Sequence, residues 1–100
     1  MSDWMDVEEN YYMHVVRRQP IVLVRGQGTT VWDEAGKEYL DFTGGWAVNN
    51  IGHCHPAVVG AITEQAKTLM QTSNGYYTIP QLKLPRLLVE NSCLDKVFFC

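Results

Sequence analysis

Several features that define particular functional classes are scarce or absent in this sequence of 100 residues. Its three cysteines are odd in number and show no CxxC spacing, which argues against a disulfide-stapled secreted domain or a zinc ribbon. It has no apolar run of about 18 residues and no basic signal-peptide segment. Eight basic residues against eleven acidic ones give a net charge of -3, which disfavours binding to a phosphate backbone. We therefore expect a cytoplasmic protein without nucleic-acid or membrane partners.

The composition that is present, 46% apolar and 19% charged, is that of an ordinary globular domain or of part of one. In the first half, residues 4–16 predict a short surface helix or an arm, which Asp3 could cap. Three β-rich runs then predict an antiparallel meander over residues 21–24, 29–32 and 38–42. Its turns are expected at 26–28 and 33–37, and residues 46–52 are expected to form a loop.

The second half predicts two helices and a strand. Pro56 is suited to the first position of a helix over 57–70, whose apolar residues recur at steps of three and four. A second helix is expected to about residue 91, with Thr78 and Gln81 as a capping box. Pro85 requires either a kink or a regular helix that starts there. The apolar run 97–100 predicts a buried strand, and such an uncovered end favours the first part of a larger protein.

A cluster of metal-ligand residue types, His53, Cys54 and His55, does not predict a metal site. Adjacent donors cannot all face one ion, and the chain offers too few further ligands. The better interpretation is that His55 caps the helix that starts at Pro56, while His53 packs or forms hydrogen bonds in the loop. No metal is therefore expected.

Two segments are candidates for a binding surface. Gly44, Gly45 and Trp46 form either a tight bend with a core tryptophan or the wall of a pocket. Residues 72–77, which include Asn74 and Tyr76, form either a polar loop or a contact surface. All four lysines occupy turns or outward helix positions, so none is suited to Schiff-base chemistry.

The order and spacing of several short motifs over residues 11–100 resemble the start of class III pyridoxal-phosphate aminotransferases, in particular the branch acting on N-acetylornithine. The motifs are Val31-Trp32-Asp33, Gly36 to Phe42, Ala47-Val48-Asn49, Gly52 to Pro56, Thr72-Ser73-Asn74 with Tyr76-Tyr77, and Asp95 to Phe99. Each motif is short, and their ordered occurrence along the chain is what points to the family.

The resemblance implies the α/β fold of fold-type-I pyridoxal-phosphate transferases, of which this chain is the amino-terminal part. Residues 1–55 would form the arm and meander of the small domain. Residues 56–100 would supply helices and the first strand of the cofactor-binding large domain. The family implies a homodimer with active sites at the subunit interface. The loop for the cofactor phosphate would begin just after Cys100, so this chain is expected to contain no catalytic or cofactor-binding residue.

The resemblance also implies transfer of an amino group from N-acetylornithine, or a similar ω-amino acid, to 2-oxoglutarate. Gly45 would leave room for an acylated chain at the distal end of the substrate site, beside Trp46. Asn74 and Tyr76 would lie near the partner's active-site mouth. The alternatives are an ornithine or 4-aminobutyrate aminotransferase and, in another class, a non-catalytic dimerisation or binding module. The fragment alone is expected to be inactive.

Overall fold

A computed structural model describes residues 3–100, which contain helical segments and a small sheet. The elements in chain order are α1 (Asp3–Tyr11), β1 (Leu23–Gln27), β2 (Thr30–Asp33), β3 (Glu38–Leu40), α2 (Gly44–Ala47), α3 (Pro56–Thr68) and α4 (Ile79–Glu90). The expected surface helix is present as α1, with Asp3 inside it and not before it. Across residues 3–100, every helix is too short or too polar to cross a bilayer.

The three strands form the antiparallel meander that the sequence predicts, in the order β1-β2-β3. Gln27 pairs with Thr30, so the first turn contains only Gly28 and Thr29. The predictions of a strand over 21–24 and a turn over 26–28 were therefore wrong in their bounds. The hairpin tightens because Gly28 has a φ of 58°, a conformation that glycine adopts without steric cost.

Asp33 closes the second turn of the meander through three hydrogen bonds. Its Oδ1 accepts the backbone N–H groups of Ala35 at 3.0 Å and of Lys37 at 2.9 Å. Its Oδ2 accepts the hydroxyl of Tyr39 at 2.8 Å. The Tyr39 hydrogen bond and the backbone donors lower the pKa of the Asp33 carboxyl, and the same hydroxyl contact raises the pKa of Tyr39.

Asp33→Asn is expected to remove a pH-dependent part of the stability of the full-length protein. Because the folded-state pKa of Asp33 is lowered, its contribution is present above the ordinary pKa of about 3.9 and is lost as the pH falls through the folded value. The difference in unfolding free energy between wild type and variant should therefore be constant above about pH 5 and shrink below about pH 4. Denaturant titrations across this range check it, and a difference independent of pH would contradict it.

Helix α3 begins at Pro56, as predicted, and His55 caps it. The Nδ1 of His55 accepts the N–H of Ala57 at 3.2 Å, and its carbonyl accepts the N–H groups of Val58 and Val59, both at 3.0 Å. These contacts satisfy donors that a helix leaves unpaired in its first turn. The expected cap is therefore confirmed.

Helix α4 differs from the prediction at its start. Thr78 is the N-cap residue, but its side chain makes no capping hydrogen bond. The Gln81 amide donates to Asn74 Oδ1 at 3.0 Å and does not reach back to Thr78, so the predicted capping box was wrong. The helix already begins at Ile79 and continues through Pro85, so its regular part does not start at the proline.

Two further segments also differ from the sequence predictions. Residues 97–100 form no strand, because within the described part of the chain no neighbouring strand supplies ladder hydrogen bonds. The helical turn α2 contains residues 46 and 47, which were expected to be the first two residues of a loop over 46–52.

The chain divides into two compact units, Met1–Glu64 and Gln65–Cys100. Among residues 3–100, the buried apolar core consists of Val31, which is 7% exposed in the middle of the sheet. Most large apolar side chains of residues 3–100 are exposed, so little apolar surface is buried within either unit. The assignment of residues 1–55 and 56–100 to two domains of the family fold stays a prediction.

Candidate functional site

The backbone of α2 is a single left-handed helical turn. Gly44, Gly45, Trp46 and Ala47 have φ angles of 54°, 62°, 63° and 60°. The ψ angles of Gly45 and Trp46 are 46° and 47°, which places both residues in the left-handed α region. The turn is closed by hydrogen bonds from Ala47 N to Thr43 O at 2.9 Å and from Val48 N to Gly44 O at 3.0 Å.

This turn is strained because two of its residues carry side chains. A left-handed conformation costs about 1–2 kcal/mol for each non-glycine residue, so Trp46 and Ala47 together cost about 2–4 kcal/mol. The indole of Trp46 does not lie in an apolar core, since this residue is 95% exposed. No apolar core surrounds Trp46 in its own unit, and its place in the wall of a pocket stays a prediction.

Asp41 supports the start of the turn. Its Oδ1 accepts three hydrogen bonds, from the backbone N–H and the hydroxyl of Thr43 and from the N–H of Gly44, each at 2.9 Å. Asp41 follows strand β3, and its own N–H donates to Thr29 O at 2.8 Å. The carboxylate therefore connects the sheet to the residues at which the left-handed turn begins.

His53 completes the arrangement from the other end of the loop. Its Nε2 lies 2.6 Å from Asp41 Oδ2. An ionised carboxylate only accepts hydrogen bonds, so Nε2 carries the proton. Donation from His53, followed by the backbone and side-chain donors of Gly44 and Thr43, holds the pKa of Asp41 well below its ordinary range. The expectation that His53 packs or forms hydrogen bonds in the loop is confirmed.

The backbone of His53 is attached to the β1–β2 hairpin. His53 N donates to Gly28 O at 2.8 Å, and Gly28 N donates to His53 O at 3.0 Å. A β-carbon at Gly26 would lie 2.7 Å from Cγ of the His53 ring, and one at Gly52 would lie 2.9 Å from Gly28 Cα. Both glycines are therefore required for the close approach of the loop to the hairpin.

A cavity of about 330 Å³ adjoins this assembly. Its lining is formed by Gly28, Thr29, Asp41, Gly44 and residues 49–53. Asn49 Nδ2 lies 3.4 Å from His53 Nδ1, and a β-carbon at Gly45 would lie 3.3 Å from the same Asn49 atom. Gly45 thus approaches the edge of the cavity without lining it.

The candidates Asn74 and Tyr76 lie in the other unit, in the loop between α3 and α4. Asn74 lines a cavity of about 430 Å³ formed by residues of that unit, among them Thr72 and Gln81. Tyr76 does not line it, and its side chain is 73% exposed. Gly45 and Trp46 are thus brought together in one turn, while Asn74 and Tyr76 share a separate loop.

All four lysines of the chain, Lys37, Lys67, Lys83 and Lys96, are exposed. None of them offers the desolvated amine that Schiff-base chemistry requires.

The sequence predicts Gly45 and Trp46 as site residues, but it does not predict that Asp41 and His53 hold the turn that contains them. The sequence predicts a strand at Asp41 and a loop at Asn49, and both residues belong to motifs that resemble the family, but it predicts no contact of either side chain with the turn. A signal was available, since Asp41 lies two residues before Thr43 and three before Gly44, and a carboxylate commonly accepts N–H groups at these distances along the chain. The contact of Asp41 with His53 had no such local signal.

Comparison with known proteins identifies the family of this chain. The family model described as Aminotransferase class-III matches residues 11–100. The chain therefore belongs to the class III aminotransferases, as the sequence motifs predict. It is 57% identical over 99 residues to the acetylornithine aminotransferase of Methanocaldococcus jannaschii, which is 99% of this chain and 25% of that protein. It is 45% identical over 92 residues to the succinylornithine transaminase of Citrobacter koseri, covering 92% of this chain and 23% of that protein.

Solved structures confirm the fold class. The ornithine δ-aminotransferase of Plasmodium falciparum superposes with a TM-score of 0.89 at 34% identity, over 94% of this chain and 24% of that one. The N-acetylornithine aminotransferase of Stenotrophomonas maltophilia superposes with a TM-score of 0.84 at 39% identity, over 96% of this chain and 25% of that one. This chain therefore spans about a quarter of the length of these relatives.

Proposed function

We propose that the chain is the amino-terminal part of a pyridoxal-phosphate-dependent aminotransferase that transfers the amino group of N-acetylornithine, or a similar ω-amino acid, to 2-oxoglutarate. The observation that carries the proposal is the 57% identity to an acetylornithine aminotransferase over nearly the whole chain. A homodimeric assembly and a cytoplasmic location belong to the same proposal and rest on the family resemblance.

Within this enzyme, the proposed role of the chain is to form pocket wall and subunit contact. Gly45 and Trp46 are proposed to line the distal part of the substrate pocket, and the strained backbone that presents Trp46 to solvent supports this role. Asn74 and Tyr76 are proposed to lie at the mouth of the partner's active site. Their exposure leaves both side chains available for such a contact.

The cofactor is proposed to be bound by residues outside this chain. Pyridoxal phosphate, when bound, supplies the amino-group transfer chemistry. The proposed role of this part of the protein is to support the site and to supply no catalytic group, which is consistent with the exposure of all four lysines.

Amino-donor kinetics of the full-length protein test the proposal. With 2-oxoglutarate as acceptor, kcat/KM for N-acetylornithine is expected to exceed that for ornithine and 4-aminobutyrate by about tenfold or more, since a pocket discriminates small groups by this amount. Succinylornithine serves as a fourth donor with a larger acyl group. The 100-residue chain alone, as control, is expected to give neither turnover nor the visible absorbance of bound cofactor.

The possible outcomes separate the alternatives. A preference for free ornithine would contradict N-acetylornithine as the donor but would still support amino-group transfer to 2-oxoglutarate. No transfer from any of these donors would contradict the enzyme proposal and favour a binding or dimerisation module.

A further inference from the structure

We propose that Asp41 and His53 are positioning residues that together hold the left-handed turn α2, and with it Trp46, in the orientation needed to bind the amino donor. The inference rests on the proposed function for its kinetic consequence. The contact between the two side chains, at 2.6 Å, joins residues 12 positions apart in the sequence. It therefore fixes the two ends of the loop that contains the turn.

The strain in the turn makes such support necessary. Trp46 and Ala47 have φ angles of 63° and 60°, which L-residues seldom adopt in succession. A conformation of this kind persists only when surrounding contacts determine it. Asp41 supplies three of these contacts at Thr43 and Gly44, where the turn that contains the strained residues begins.

His53 fixes the position of the carboxylate itself. A carboxylate that accepted only from Thr43 and Gly44 could rotate with the loop, because all of those donors belong to the same segment. His53 is paired with Gly28 of the hairpin through two backbone hydrogen bonds, at 2.8 and 3.0 Å. The imidazole thereby ties the carboxylate, and the turn bound to it, to the sheet.

Asp33 provides a matched comparison within the same sheet. It also accepts two backbone N–H groups and one side-chain donor, but these donors belong to the β2–β3 turn and to strand β3. Loss of Asp33 should therefore lower stability without changing the orientation of Trp46. A variant at Asp33 separates a general loss of stability from a loss of positioning.

The test uses the full-length protein with four variants, namely His53→Ala, His53→Gln, Asp41→Asn and Asp33→Ala. His53→Ala is expected to raise KM for the amino donor about tenfold, as for the loss of one charge-assisted hydrogen bond, with kcat changed by less than about twofold. His53→Gln should restore most of this loss, because its amide N–H can donate to Asp41. Asp41→Asn keeps an acceptor for Gly44 and should give an intermediate KM. Asp33→Ala should leave KM unchanged.

A second measurement reports on the turn without reference to activity. Protein labelled with 5-fluorotryptophan gives a ¹⁹F resonance for Trp46, which is assigned by its loss in Trp46→Phe. This resonance is expected to shift or broaden in His53→Ala, to return towards the wild-type position in His53→Gln, and to stay unchanged in Asp33→Ala.

The two readouts distinguish failure of this inference from failure of the proposed function. An unchanged ¹⁹F resonance in His53→Ala, or an equal change in Asp33→Ala, would overturn the positioning role. An altered resonance in a protein that transfers no amino group would contradict the proposed function and leave the structural role of the pair standing. An altered resonance with unchanged KM in an active enzyme would overturn the claim that the pair positions the turn for donor binding.

Discussion

Gly52→Ala is expected to destabilise the full-length protein by about 2–5 kcal/mol, the sum of two separate effects. Gly52 has a φ of 88°, which L-residues seldom adopt. Its new β-carbon would also lie 2.9 Å from Cα and 3.0 Å from O of Gly28. These atoms belong to the backbone of Gly28, whose N–H and carbonyl are hydrogen-bonded to His53, so they cannot move aside without breaking the contact between loop and hairpin.

The matched control for this substitution is Gly36→Ala. Gly36 has a φ of 80°, close to that of Gly52, but a β-carbon there would meet nothing within 4 Å. Gly36→Ala should therefore lose only the free energy needed to place an L-residue at this φ angle, about 1–2 kcal/mol. Thermal or denaturant unfolding of the two variants gives the difference. Equal destabilisation of both would show that the close contact with Gly28 does not contribute.

Gly26→Ala is the second substitution with a large expected effect. A β-carbon at Gly26 would lie 2.7, 2.8 and 2.9 Å from Cγ, Nδ1 and Cβ of His53. The imidazole cannot turn away freely because its Nε2 is bound to Asp41. We expect a loss of about 1–3 kcal/mol of stability, as for other overpacked sites, together with a weakened contact between His53 and Asp41.

Gly60→Ala is the control for Gly26. Gly60 lies inside α3, where a β-carbon meets nothing within 4 Å. Alanine is the better helix former by about 1 kcal/mol, so this variant should be equally or more stable than wild type. If Gly26→Ala were as stable as Gly60→Ala, the proposed packing of His53 against the hairpin would be wrong.

The sequence predicted those elements whose signals are local. Pro56 marked the start of α3 because its ring suits the first helical position, and His55 was recognised as the residue before it. The meander followed from alternating β-rich runs and glycine turns. The ordered motifs gave the family, which the comparison confirms over residues 11–100.

The remaining features depend on contacts that local patterns do not encode. Trp46 and Ala47 have no intrinsic preference for the left-handed region, so the turn is set by distant partners such as His53. The prediction of a capping box at Thr78 was wrong because the Gln81 amide donates to Asn74 instead. The run 97–100 has strand-like composition, but a strand forms only beside a partner.

In the left-handed turn, the contacts that fix the backbone at position 46 do not involve the side chain at that position. The main-chain path is set by Asp41 and His53, while the indole itself is 95% exposed within this chain. Exchange of this side chain for one of another size should therefore leave the supporting scaffold intact. Under the proposed role of Trp46 in the donor pocket, a lineage with this arrangement could change which donors it accepts through one codon, without having to acquire a compensating substitution in its framework.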